Sequence, residues 1–462
     1  MSVLLGNNAG VGDKGSNPVA HLRHKKLQRF GEAVAEFHMP AAPTTFKELG
    51  VDLSLVNALI LKQLLMAGTQ RSDELAKTLA IPLSLLEEPL TFLHTEALIT
   101  SHSRDQKQIS DVRHLSLTSN GRRRAHEHMQ DNSYCGPLPV SYEAYRHQVS
   151  LQTVRNQFVD KFGMKKAFAN VVINPEVLSQ FGAAFNSGSS VFLYGPPGTG
   201  KTFIAKQAIN LLSGDIAIPH AMIVDGQIIR IYDPVIHERV MESLDNNITS
   251  IIKSSSQDHY DNRWLRCHRP VIIASGELTL EMLDLRYQKD IGFYEAPLQM
   301  KANGGILMID DLGRQVVAPT LLLNRWIMPL EYNVDYLALH TGTKFQVPFD
   351  VIPIFSTNME PSELVDEAFL RRLGYKIHVD YVTPEEYAKI FQQYCDANSL
   401  AYNEAMVDYL ISEHYRPSGI NMAASHPKEL INKVIDFSLY DGIEPAISEE
   451  LLAKAWNAFF VI

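Results

Sequence analysis

Residues 195–202 read Gly195-Pro196-Pro197-Gly198-Thr199-Gly200-Lys201-Thr202, directly after the apolar run Val191-Phe192-Leu193-Tyr194. Apolar side chains then recur with helical spacing at Phe203, Ile204, Ala205, Ala208, Ile209, Leu211 and Leu212. A strand, a loop of the form G-x-x-x-x-G-K-[ST] and a helix together specify a parallel α/β architecture with a phosphate-binding turn. The glycines allow the backbone to fold tightly and aim its N–H groups at an anion. Lys201 is placed to reach β- and γ-phosphates, and the Thr202 hydroxyl to hold Mg2+. The helix start adds the positive end of its dipole. A glycine-rich turn that matches by chance is the competing reading, and the flanking strand and helix argue against it.

Bulk properties narrow the remainder. A length of 462 residues suits about three domains. The net charge of -10 disfavours general nucleic-acid coating, though not a local basic patch. The three cysteines, Cys135, Cys267 and Cys395, form no C-x-x-C pair, so neither zinc nor a disulfide framework is expected. A cytoplasmic protein is the natural expectation from that cysteine usage. No apolar run reaches the ~18 residues that span a bilayer. Residues 1–6 lack a basic start and a long apolar stretch, so no secretory signal is expected.

Five segments are expected along the chain. Residues 1–45, rich in Gly, Asn, Ala and Pro, read as a loose arm with one helix near 28–37. Residues 46–131 read as three helices (56–65, 72–79 with Ser72 as N-cap, and 82–97), then β-like stretches at 98–101 and 113–117. This order resembles a winged helix. Its third helix holds no Lys or Arg and carries Glu87, Glu88 and Glu96, which is unfavourable for reading a DNA groove. The wing residues Arg104, Lys107 and Arg113 and the run Arg122-Arg123-Arg124 are left as a solvated surface, so protein docking is the favoured role. Residues 132–150, with Gly136, Pro137 and Pro139, read as a linker. Strand and helix signals alternate over 151–382, and residues 383–462 read as helices only, near 384–398, 403–414, 427–439 and 448–460.

Three further motifs follow the phosphate loop. Residues 305–311 form a buried strand that ends in Asp310 and Asp311, where ligands of parallel sheets bind. Asp310 is placed for the Mg2+ shell and Asp311 for orienting or deprotonating water. Residues 351–358 form another buried strand ending in Asn358, a candidate γ-phosphate or water contact. Residues 366–372 read as a helix ending in Arg371 and Arg372; an arginine supplied in trans stabilises phosphoryl transfer.

In this order the four elements resemble the AAA+ ATPases, over roughly residues 150–462. The resemblance implies an α/β P-loop NTPase core with a C-terminal all-helical lid, here preceded by the winged-helix domain. It implies ATP or ADP with Mg2+, and a homo-hexameric ring with nucleotide between neighbouring copies. It also implies a sensor at residues 426–430, with Lys428 where the family most often has Arg. Insertions at residues 285–297 (turn near 289–292) and 334–347 (turn at 340–343) resemble those of the MoxR, magnesium-chelatase and enhancer-binding groups. Phe293 and Tyr294 are then candidate partner contacts, behind the plainer reading of aromatics packed on the domain. Asp311 departs from the family's usual Glu, and Arg314 is a further candidate, either beside the γ-phosphate or in the subunit interface. The leading expectation is an ATP-hydrolysing ring that remodels or assembles protein partners. A DNA-associated ATPase and a slow-turnover structural ring are the alternatives.

Overall fold

The computed structural model describes residues 37–102, 113–240, 259–364 and 367–460. The arm up to residue 36 and the wing residues Arg104 and Lys107 lie outside them. At the centre is a five-stranded parallel sheet. Its strands are β1 (Val191–Tyr194), β2 (Val271–Ala274), β3 (Ile306–Ile309), β4 (Ile352–Thr357) and β5 (Tyr375–His378), in the spatial order β2-β3-β4-β1-β5. Every residue of β3 and β4 is buried. That explains the apolar runs Ile306–Ile309 and 352–355, since a parallel sheet is covered on both faces. The two-residue period still sorts the side chains. Phe192, Leu307, Ile309 and Phe355 join one core with Leu322, Leu323 and Trp326 of helix Pro319–Tyr332. Val191, Leu193, Ile306, Met308, Ile352 and Ile354 join the other, with Phe181 and Phe185 of helix Pro175–Ser187 and Ile204 and Ala205 of helix Lys201–Gln207.

The N-terminal module contains helices Leu53–Ala67, Ser72–Leu79 and Glu87–Thr95. A three-stranded sheet follows, with His114–Leu117 between Gln70–Arg71 and Ile99–His102. Helix Ser119–Asp131 closes it. Ser72 is not the N-cap, a position that falls to Arg71. Its buried hydroxyl instead accepts the Arg113 N–H at 3.1 Å, tying helix to sheet.

Residues 140–151 are not a linker. Val140–Ser141 is an edge strand paired in parallel with Ala221–Val224, and Ser141 caps helix Tyr142–Leu151. Val140, Tyr145 and Val149 are buried in the adjoining core. Where this helix meets the main sheet, the buried Asp350 carboxylate accepts the Thr153 hydroxyl and the Val154 N–H. The Gly and Pro residues at 136–139 punctuate the chain as read, but the apolar positions after them carry the structure.

Both insertions are hairpins, Arg286–Gln288 with Phe293–Glu295 and Val334–Ala338 with Lys344–Pro348. The first does not project. It joins Gln227–Arg230, Ala221–Val224 and Val140–Ser141 in a second five-stranded sheet. Phe293 and Tyr294 are 7% and 1% exposed, so they are core and not partner contacts. Phe293 meets Tyr134 edge-on, with ring centroids 5.6 Å apart. The hairpin tip rests on the end of helix Ser119–Asp131, where the Ser133 N–H donates to the Ile291 carbonyl at 2.8 Å. Gly292 makes this contact feasible: its φ is +71°, and a Cβ would lie 2.5 Å from the Asp131 carbonyl oxygen.

Gly292→Ala is therefore expected to destabilise by roughly 1–3 kcal/mol in urea unfolding, combining backbone strain with a clash. Gly342→Ala is the control: it has φ +90° with nothing within 4 Å of the added Cβ, so it carries strain alone. Equal losses at the two positions would remove the docking argument.

Candidate functional site

The phosphate loop leaves β1 and wraps into helix Lys201–Gln207. Gly195 has φ +136°, and a Cβ there would sit 2.3 Å from the Val379 carbonyl, so the loop's first turn admits only glycine. Lys201 is 5% exposed, and its ammonium donates to the carbonyls of Gly195 at 2.8 Å and Pro196 at 2.7 Å. Burial pushes the Lys201 pKa down to about 8, against an upward pull from Asp311 and Asp310.

The carboxylates arrive from β3. Thr202 Oγ1 donates to Asp310 Oδ1 at 3.0 Å, bridging the phosphate loop to the strand two places away across β4. Asn358, just beyond β4, donates from Nδ2 to Asp311 Oδ1 at 3.3 Å. Asp311 has φ +49°, the left-handed region. Asp tolerates that region better than longer side chains do, because its short polar group bonds locally. This gives a physical reason for Asp at a position where Glu was anticipated. The turn is tethered to β4 by Leu312 N–H to Ser356 O and by the Thr357 hydroxyl to Leu312 O, both 2.7 Å.

Pro197, Gly198, Thr199, Gly200, Lys201, Thr202, Phe203, Asp311, Asn358 and Lys428 line one cavity of about 740 Å³. Gly195 and Pro196 stand behind it, holding Lys201. Asp310 reaches it through Thr202. Lys428 lies in the first turn of helix His426–Asp441, whose preceding residue Ser425 donates its N–H to the Gly198 carbonyl at 3.0 Å. Arg371 and Arg372 do not reach this cavity. Arg371, 76% exposed at its side chain, pairs with Glu367 at 2.9 Å, and Arg372 pairs with Glu331 at 3.2 Å. Arg314 is exposed and does not line the cavity either.

Sequence reasoning missed the cavity's far wall. It comes from Asn170, Val171 and Val172 on one side and Ile390, Gln393, Tyr394 and Ala397 of helix Pro384–Ala397 on the other. The helical spacing of Ile390, Tyr394 and Ala397 signals an inward face but not what it faces. The loop at 170–172 carries no motif. Among the described residues no cluster of three or more His, Cys, Asp or Glu could hold a metal ion alone. One hydroxyl beside one carboxylate instead suits a Mg2+ whose remaining ligands are phosphate oxygens and water.

A phosphate facing Lys201 favours its charged form. Near pH ~8.5 part of the Lys201 population is neutral, so ADP binding there is expected to take up protons. Titration calorimetry in two buffers of different ionisation heat reads that uptake. Wild type should show it and Lys201→Gln should not; zero uptake in wild type would contradict the assignment. In the unfolded chain Lys201 returns toward its ordinary value of 10.5 and binds more protons than the folded form above about pH 8. Its contribution to stability therefore rises with pH from about 8 to about 10.5.

Residues 383–458 match a family described as a domain of unknown function (DUF8689). No curated protein matches the chain. Among solved structures, the Thermotoga maritima RuvB Holliday junction branch migration motor is similar at 15% identity, over 66% of this chain and 72% of that chain, with a TM-score of 0.33. A point mutant of the same Thermotoga maritima RuvB is similar at 15% identity, over 66% of this chain and 73% of that chain, with a TM-score of 0.34. Superpositions that loose carry no functional weight, which rests with the cavity itself.

Proposed function

We propose that this chain is a Mg2+-dependent ATPase of the AAA+ kind that works as a homo-hexameric ring in the cytoplasm and remodels or assembles protein partners. One observation carries the catalytic part. Lys201, the Thr202–Asp310 pair, Asp311 and Asn358 converge on one cavity at the C-terminal edge of a parallel sheet.

In this reading the loop backbone and Lys201 hold the β- and γ-phosphates, and the walls at 170–172 and 390–397 hold the nucleoside. Thr202 and Asp310 hold Mg2+, which when bound neutralises phosphate charge. Asp311 orients the attacking water and accepts its proton, while the Asn358 amide aims that carboxylate. Lys428 meets the γ-phosphate as a point charge and not as a planar fork. The exposed Arg371 or Arg372 acts on the nucleotide of the neighbouring copy.

Residues 46–131 serve as a winged-helix docking module, residues 383–462 as the lid, and the two insertions ally the chain with the MoxR-like groups. The module's surface supports a protein partner over DNA. Glu87, Glu88 and Glu96 are exposed on or beside helix Glu87–Thr95. Arg123 and Arg124 both pair with Glu127, at 2.9 and 3.0 Å, which leaves less positive charge for phosphates. A slow-turnover ring is the second reading, favoured by the short Asp311 side chain already bonded to Asn358.

ATP hydrolysis by wild type should fall roughly 100-fold or more in Lys201→Ala and in Asp311→Ala, and DNA should not stimulate it. Mixing Asp311→Ala subunits with Arg371→Ala/Arg372→Ala subunits should restore part of the activity that each lacks alone. No hydrolysis by wild type with any protein partner would overturn the enzymatic reading, and several turnovers per minute would exclude the slow ring.

A further inference from the structure

We propose that Gln315 is the positioning residue that sets the Asp310–Asp311 turn, and through it the aim of the Asp311 carboxylate. The inference rests on the ATPase reading above. Gln315 is 8% exposed. Its Nε2 donates to the carbonyls of Asp310 at 3.0 Å and Asp311 at 3.3 Å, and reaches the Ser275 carbonyl at 3.4 Å. Its Oε1 accepts the Gly313 N–H at 2.9 Å. One carboxamide thus closes the turn from both sides and fastens it to the residue that follows β2.

The need for such a group follows from the backbone. Asp311 at φ +49° and Gly313 at φ +108° take the chain out of both strand and helix geometry. The Asp310 carbonyl therefore leaves the strand ladder and takes its donor from Gln315, while the Asp311 carbonyl accepts the Arg314 N–H at 2.9 Å as well as Gln315. A primary amide is suited to the task. It offers two N–H donors and one acceptor, and reversing it would set oxygen against carbonyl oxygens. It is also neutral, so it adds no charge beside two carboxylates. The Leu312 N–H to Ser356 and the Arg314 N–H to the Asp311 carbonyl hold the peptide plane after Asp311, Asp310 Oδ1 accepts the Asp311 N–H at 3.1 Å, and Gln315 ties the carbonyls of both planes together. Because the Asp311 side chain is short, its reach depends on where that backbone stands.

Gln315→Glu keeps the size but puts an acceptor against the carbonyls, and Gln315→Ala removes the group. In both, kcat for ATP should fall by about 10- to 100-fold, because displacing a reacting group by an ångström has that effect. KM and metal-free ADP affinity should stay within about 2-fold, since the phosphate loop makes no contact with Gln315. Added to Asp311→Ala, Gln315→Glu should cost no further activity. Hydrogen exchange at the amides of residues 311–314 should quicken in both variants. Wild-type kcat with unchanged exchange overturns the proposal, and so does a joint fall of kcat and ADP affinity, which marks general damage. If wild type hydrolyses no ATP, the ATPase reading fails separately, and the exchange rates still decide whether Gln315 holds the turn.

Discussion

The hydrogen bond from Thr202 to Asp310 joins two chain segments that the sheet keeps apart. β1 brings the phosphate loop and β3 brings the carboxylates, with β4 between them. Only where strands end together, on the same edge of a parallel sheet, can side chains from β1 and β3 meet over the end of β4. The buried registers of Ile306–Ile309 against Ile352–Thr357, and of the latter against Val191–Tyr194, set that common edge. A slip of one residue would send each strand's side chains to the opposite face. The site is thus a consequence of core packing, and the loop alone does not make it.

The same sheet connects the site to the rest of the molecule. Helix Pro319–Tyr332 follows the Asp310–Asp311 turn and leads into the hairpin Val334–Ala338/Lys344–Pro348, whose second strand continues toward β4 and Asn358. The hairpin therefore enters β4 at Ile352, the end of that strand away from Asn358 and the cavity. At its tip the His340 ring stacks on Tyr287 with centroids 4.3 Å apart, and the His340 N–H donates to the Tyr294 hydroxyl at 2.8 Å. Tyr287 and Tyr294 belong to the second sheet, on which the N-terminal module rests. On the other side, the Ser425 N–H bonded to Gly198 brings the C-terminal helices onto the phosphate loop.

Much of this was legible in the sequence where chemistry and periodicity coincide. The loop at 195–202, the strands ending in Asp310 and Asn358, both hairpin turns and the four C-terminal helices carry local signals strong enough to place. What escaped depends on tertiary partners. Val140–Ser141 is too short to signal a strand by itself and exists because Ala221–Val224 lies beside it. For Phe293 and Tyr294 the plainer reading, aromatics packed on the domain, is the one their burial bears out, and the partner-contact alternative falls. Gln315 carries no motif at all. Its importance comes from three carbonyls contributed by a left-handed turn and the end of a different strand.

The central claim is that Thr202 and Asp310 hold a divalent cation together with nucleotide phosphate. Nucleotide affinity measured with and without Mg2+, in wild type and in Thr202→Val, tests it without reference to turnover. Mg2+ should tighten binding to wild type by at least about tenfold, or ~1.4 kcal/mol. Thr202→Val should keep its metal-free affinity and lose that gain. Equal tightening by Mg2+ in both proteins would contradict the account.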